Sequence, residues 1–363
     1  MQAPAQHAED AIAREIERVV AREVDDRRLK ALLATPGSFD KALWTLAVEQ
    51  GWPGLGLPED SGGLGLGWRD LAEVARVLGH ATVSLPLIPA TVVGRVLLAG
   101  KDNGEALGAR ARQLAAGEAM VCVALMAADD AGLPAEPALT LEDGSLTGVT
   151  GTTAFAAVAD YALAWARKGG KPVLVLAELG RGVERETTNL VDNARGAAAL
   201  VFDGARAVEL EGGAPKDVLA SAIVMTAFEQ VGGAAACLEL AKAYALEHRA
   251  FGQPIGAFQA IKHKMADIYT AIEIAKGCAL EALGELEAGE LSIAAAAAAR
   301  ISANRAYDFA AQEAIQVHGG MGITWEGFLH HHYRRARSLA LELGSTAYWR
   351  NILLDELLAG GKS

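Results

Sequence analysis

The spacing of apolar residues changes twice along this chain, and each change limits what it can fold into. From about residue 8 to 115 the spacing is helical: Ile12, Ile16 and Val19 fall on one stripe, thickened by Val20 and Val24. From about 116 to 212 short apolar runs are bounded by turn residues. Ala138–Leu141 and Ser145–Thr147 flank Asp143-Gly144, while Tyr161–Ala166 and Val173–Ala177 flank a turn at Lys168–Pro172. Ala198–Phe202 reads as a further strand. Beyond about 215 the helical period returns, rich in alanine, with small residues spaced to let helices approach closely. Tyr307, Ala310, Ala311, Ala314 and Val317 mark one face there. The chain is therefore expected to be α+β and mostly α. It should have an N-terminal helical domain over 1–115, a middle antiparallel β domain over 116–212 and a C-terminal helical bundle over 213–363.

Residues 51–65, GWPGLGLPEDSGGLG, interrupt the first helical stretch. So many glycines and prolines cannot sit inside a helix, and Trp52 points to a packed loop rather than a loose connector. At 363 residues, with 52 % hydrophobic and 21 % charged, the chain can bury a large core. A formal charge of -12 disfavours nucleic acid and anionic membranes as partners. The longest apolar run, Ala294–Ala299, ends at Arg300, so no membrane span is expected. Cys122, Cys237 and Cys278 are scattered and read as reduced core thiols of a cytoplasmic protein.

Four segments carry a resemblance. They are GWPGLGLPEDSGGLGLG at 51–67, RAFGQPIGAFQAIKHKMAD at 249–267, QVHGGMGITWE at 316–326 and HHHYRRARSLALELGS at 330–345. Together, in this order and spacing, they resemble the acyl-CoA dehydrogenase family, over essentially the whole chain. The resemblance implies a helical domain, a β domain and a four-helix bundle, with FAD bound where subunits meet. It also implies an acyl-CoA substrate, association into dimers or tetramers, and an electron-transfer flavoprotein or similar acceptor. By the same analogy, FAD contacts fall to His248, Arg249, Phe251, Gln259 and the run Gln316, Val317, His318, Gly319 and Gly320. Gln259 and Gln316 are amides that both donate and accept. His318 is equally suited to binding a helix-end carbonyl.

Removing a proton from the acyl α-carbon requires a base, in this family often a glutamate directly before a glycine. Alignment on Arg334-Arg335-Ala336-Arg337 and Gly344 places Leu343 there, and leucine takes no proton. Two weaker candidates remain. Glu342 is adjacent, and Glu229 lies two turns beyond Ala222, the alternative family position. Other departures accumulate: His248 stands where an arginine is expected, with Arg249 one residue on, and Ala127–Val158 shows no clear version of the family's Thr/Ser- and Trp-containing flavin segment, Thr150, Thr152 and Thr153 being the nearest hydroxyls. His330, His331 and His332 follow one another, about 100° apart on a helix, so no metal site is expected. The leading expectation is a base-lacking subunit of a heteromeric dehydrogenase, similar to the bacterial two-gene enzymes acting on steroid side-chain CoA esters. The alternatives are a self-sufficient homo-oligomer using Glu229 or Glu342, and a non-catalytic CoA-ester-binding or scaffold protein.

Overall fold

The computed structural model describes residues 4–100, 104–128 and 132–360. Six helices come first: α1 Pro4–Glu23, α2 Asp26–Leu33, α3 Lys41–Glu49, α4 Trp68–His80, α5 Leu87–Ala99 and α6 Gly104–Ala115. Asp25 and Asp40 cap α2 and α3, each accepting a main-chain N–H of the first turn. The Gly/Pro segment between α3 and α4 is two short 3-10 turns packed hard on each other. A Cβ on Gly63 would lie 2.1 Å from the Leu57 carbonyl oxygen, so only glycine fits, and Trp52 is buried beneath.

The strands are β1 Val121–Ala124, β2 Leu139–Glu142, β3 Ser145–Val149, β4 Tyr161–Lys168, β5 Lys171–Glu178, β6 Val183–Glu186 and β7 Ala199–Glu209. Asp143-Gly144 and Gly169-Gly170 all have positive φ, the geometry of tight two-residue hairpins. The second turn is thus shorter than its sequence suggests, because Lys168 and Lys171 pair across it. The order β1-β4-β2-β3-β7-β5 closes through β4–β5 pairing, with β6 added to β7, giving a small barrel. Pairing is antiparallel except along β4, which takes β1 and then β2 in parallel. Neither strand is joined to β4 by a hairpin turn, so nothing forces those two pairings antiparallel. Ala162, Ala164 and Ala166 point into the barrel, while Tyr161 and Leu163 on the opposite face pack against helices.

The remainder is α7 Pro215–Glu247, the hairpin strands β8 Arg249–Ala250 and β9 Gln253–Pro254, α8 Gln259–Ala288, α9 Ile293–His318, α10 Leu329–Leu339 and α11 Thr346–Gly360. The helix α7 runs through the middle, packed on α4, α5, α8 and α9. Contrary to the reading from apolar runs, it is long and apolar enough to cross a bilayer. In this fold, however, 89 % of its most apolar window is buried inside the protein. The sequence hides this because Glu229 and Gln230 interrupt the run, and both are themselves buried. Two glycines set the crossing of α4 and α7: a Cβ on Gly79 would lie 1.8 Å from the Glu229 carbonyl oxygen, and one on Gly232 1.9 Å from that of Arg76. That contact fixes the height at which Glu229 enters the interior.

Candidate functional site

Ala222, Thr226 and Glu229 share one face of α7 and line a cavity walled by Leu85, Ile88, Val123 and Met126. Its floor is Arg195, Glu342 and Leu343. Both weaker base candidates thus face the same space as Leu343, although Glu229 and Arg195 are 34 positions apart in sequence. The space itself is nearly shut: about 40 Å³ remains, room for roughly three water molecules.

Arg195, in the segment leading to β7, closes it. Its Nη1 donates to Glu229 Oε1 at 2.7 Å, while Nε and Nη2 fork onto the Glu342 carboxylate at 2.8 and 2.9 Å. The guanidinium also lies over the Phe155 ring, 5.3 Å from its centroid. Phe155 has a φ of +65°, an unusual conformation for a bulky residue, held here by a buried ring and main-chain bonds to Arg195 and the Gly196 segment. Burial works against the Arg195 charge, but Glu229 and Glu342 more than offset it and raise its pKa above the ordinary arginine value.

A second layer fixes this cluster. Arg335 of α10 donates to Asp192 at 2.5 Å, to Glu229 at 3.4 Å and to the main-chain oxygens of Thr82 and Val83. Arg300 of α9 bonds the main-chain oxygens of Leu339 and Glu342 and the Gln230 amide, which in turn bonds Asn304. Burial pushes the Arg300 pKa down to about 10, so it stays charged at neutral pH. Trp349 Nε1 donates to the Leu343 carbonyl at 3.0 Å, and Leu343 and Gly344 both have positive φ. The turn that carries Glu342 and Leu343 is therefore rigidly held, with Leu343 presented to the cavity. Of the arginines near it, Arg337 pairs with Asp308 and Arg334 donates to the Val191 carbonyl.

Burial disfavours the Asp192 carboxylate, yet the Arg335 guanidinium outweighs it and holds the pKa below the usual range. Stability from such a group is complete above the unfolded-state value and is lost as pH falls through the folded one. Asp192→Asn leaves Arg335 buried without its counter-charge and should cost about 3 kcal/mol at pH 7. The gap to wild type should hold constant down to about pH 4 and narrow below it. Chemical denaturation at several pH values measures this, and a gap that widens on acidification contradicts the assignment.

A larger cleft of about 520 Å³ lies on the other side of the Arg195–Glu342 pair, between the barrel and α10. Thr152, Ala154, Leu190, Ala197, Ser338 and Leu341 line it. The residues expected to touch FAD are mostly elsewhere and mostly exposed. His248 caps α7 and stacks on Tyr244 at 4.8 Å, and His318 stacks on the same ring at 4.2 Å. His318 Nδ1 also bonds the Ala314 carbonyl at 2.8 Å. Phe251 sits at the β8–β9 tip with positive φ and is 96 % exposed. Arg249, Gln259, Gln316, Gly319 and Gly320 are exposed, whereas the Val317 side chain is buried in the bundle core.

Helical domain, barrel and long-helix bundle together match the fold of known proteins. The N-terminal domain of acyl-CoA dehydrogenases matches residues 6–103 and the C-terminal domain residues 215–358. The acyl-CoA dehydrogenase IpdE2 of Mycobacterium tuberculosis is 32 % identical over 330 residues, 90 % of each chain. The chain belongs to the acyl-CoA dehydrogenase family. Acyl-CoA dehydrogenases use FAD, and the fold is shared closely with solved members. A variant of the Tcur3481-Tcur3483 steroid ACAD superposes with a TM-score of 0.92 at 24 % identity, covering 99 % of both chains. The ChsE4-ChsE5 complex from Mycobacterium tuberculosis gives 0.89 at 20 % identity, covering 99 % of this chain and 98 % of that one.

Proposed function

We propose that this acyl-CoA dehydrogenase chain is the base-lacking partner in a heteromeric, FAD-dependent enzyme that introduces an α,β double bond into an acyl-CoA thioester. One observation carries the reading: Arg195 holds both carboxylates that face the acyl slot, while Leu343 occupies the turn position beside them. A base must move to the acidic carbon and take up a proton. Either glutamate could do so only by leaving a buried guanidinium short of its counter-charge, at a cost of about 3–5 kcal/mol. The cavity they face is also small, about 40 Å³. The likeness to the Tcur3481-Tcur3483 and ChsE4-ChsE5 proteins supports a homologous partner that supplies the base.

The cleft between barrel and α10 suits a flavin ring, with apolar walls from Leu190, Ala197 and Leu341 and hydroxyls from Thr152 and Ser338. Bound FAD supplies the hydride acceptor. Here Arg195 and Glu342 would close the inner end of the cleft, while Gln259, Gln316, Gly319 and Gly320 offer amide and main-chain groups to a cofactor shared across subunits. Large exposed apolar side chains fit a partner-covered surface: Phe251 is 96 % exposed, Ile323 76 %, Leu341 73 % and Leu357 64 %. An electron-transfer flavoprotein-like acceptor and a cytoplasmic setting complete the reading.

The test is to purify the chain alone and with a homologue bearing the glutamate. Flavin colour and bleaching by acyl-CoA should appear with the complex. Within the complex, Glu229→Gln and Glu342→Gln should each still permit bleaching by acyl-CoA, since neither supplies the base. Full oxidation by the chain alone, abolished by either glutamine variant, would instead establish a self-sufficient enzyme.

A further inference from the structure

The histidine run at the start of α10 does more than its spacing suggests. His332 turns inward and shares a hydrogen bond with Tyr307 Oη at 3.0 Å. His331 turns toward the N-terminal domain, where its Nε2 lies 2.9 Å from Asp26 Oδ1 on α2, 305 residues away in sequence. The ring of His330 sits beside it, centroids 3.9 Å apart. Both His330 ring nitrogens are shut from solvent and have no hydrogen-bond partner among the described residues. Leaving two buried ring nitrogens unsatisfied on this half-buried imidazole is costly, and a group in that state calls for a ligand.

We propose that Asp26, His330 and His331 bind one divalent transition-metal ion of the Zn2+ class, clamping α2 to α10. Their donor atoms lie within 4.8 Å of one another. Tetrahedral zinc with donors at about 2.1 Å sets them about 3.4 Å apart, so a modest rotation of one ring completes the site. Two imidazoles and one carboxylate suit a borderline ion and leave one position for water. Two cations oppose the ion. Lys30 pairs with Asp26 at 2.5 Å, but through Oδ2, which leaves Oδ1 to the histidines, and its side chain is 30 % exposed and can swing out. Arg334 lies over Trp325, whose ring packs on His330. Its charge is shared with the Val191 carbonyl at 2.9 Å. An access path exists, because His330 also lines an open groove with Gln316, Gly322 and Tyr333.

Metal-stripped protein, in its purified complex if it requires a partner, is titrated with Zn2+ by calorimetry and with Co2+ by visible absorption. The expected result is one saturable site per chain, a tetrahedral Co2+ spectrum and a higher melting temperature with Zn2+. Asp26→Asn and His330→Ala should each abolish all three, while His263→Ala, on the exposed face of α8, should change none. Asp26 is 40 % exposed, so its variant should melt like wild type without metal. Absence of saturable binding, or binding unchanged in both Asp26→Asn and His330→Ala, overturns the proposal.

Discussion

Arg195→Met is expected to destabilise the chain by about 3–5 kcal/mol, although it removes a single surface-distant side chain of similar length. The loss comes from what stays behind. Glu229 and Glu342 are both buried against Arg195, with side-chain exposures of 6 and 18 %, and each would keep a charge with little solvent to compensate it. Arg335 could not take over, since its closest contact is Asp192 and it reaches Glu229 only at 3.4 Å. Neutralising the stranded groups should therefore reverse most of the damage: Arg195→Met with Glu229→Gln and Glu342→Gln should recover at least half of the lost stability. Arg195→Lys should fall between, because an ammonium cannot fork onto one carboxylate while holding another. Shifts in the denaturation midpoint read all three. A triple variant no more stable than Arg195→Met would mean that the cluster contributes through packing rather than charge, and the closed-slot explanation would lose its basis.

Why Arg195 escaped notice in the sequence is a matter of distance. Its partners are 34 and 147 residues away, and no periodicity links a loop, a helix and a turn that meet only in the folded chain. A signal was present nonetheless. Glu229 stands inside the run Ala222–Ala236, where almost everything else is apolar, and Arg195 stands among Ala194, Gly196, Ala197 and Ala198. Isolated charges in apolar surroundings are rarely buried alone, so each implied an opposite partner somewhere. The period changes, by contrast, rest on local chemistry and carried over directly. The Asp143-Gly144 turn formed as read, and the spacing of Ala222 and Glu229 did put both on one wall of the same cavity. The parallel pairings at β4 and the Asp26 contact with His331 depend on long-range closure, which spacing within a segment does not encode.

Gly79→Ala is expected to cost about 3 kcal/mol or more, against the direction of helix propensity, which favours alanine over glycine by about 1 kcal/mol. The added Cβ would meet the Glu229 main chain, with its oxygen at 1.8 Å and its carbonyl carbon at 2.6 Å. No side chain can rotate aside to relieve that overlap, so α4 and α7 must separate. The contact is doubled by Gly232 against Arg76, which leaves no second register for the pair to slide into. Separation would open the surrounding packing of Leu71, Ala75, Ala227 and Phe228, all buried in one core. It would also carry Glu229 away from Arg195, linking a helix crossing to the geometry of the slot. Gly277→Ala on α8 is the matched control: nothing lies within 4 Å of its added Cβ, so it should stabilise by about 0.5–1 kcal/mol. Thermal melts of the two variants should move in opposite directions. A Gly79→Ala protein that melts at or above wild type would show that the helices approach less closely than this, and that Glu229 is positioned by its ion pairs alone.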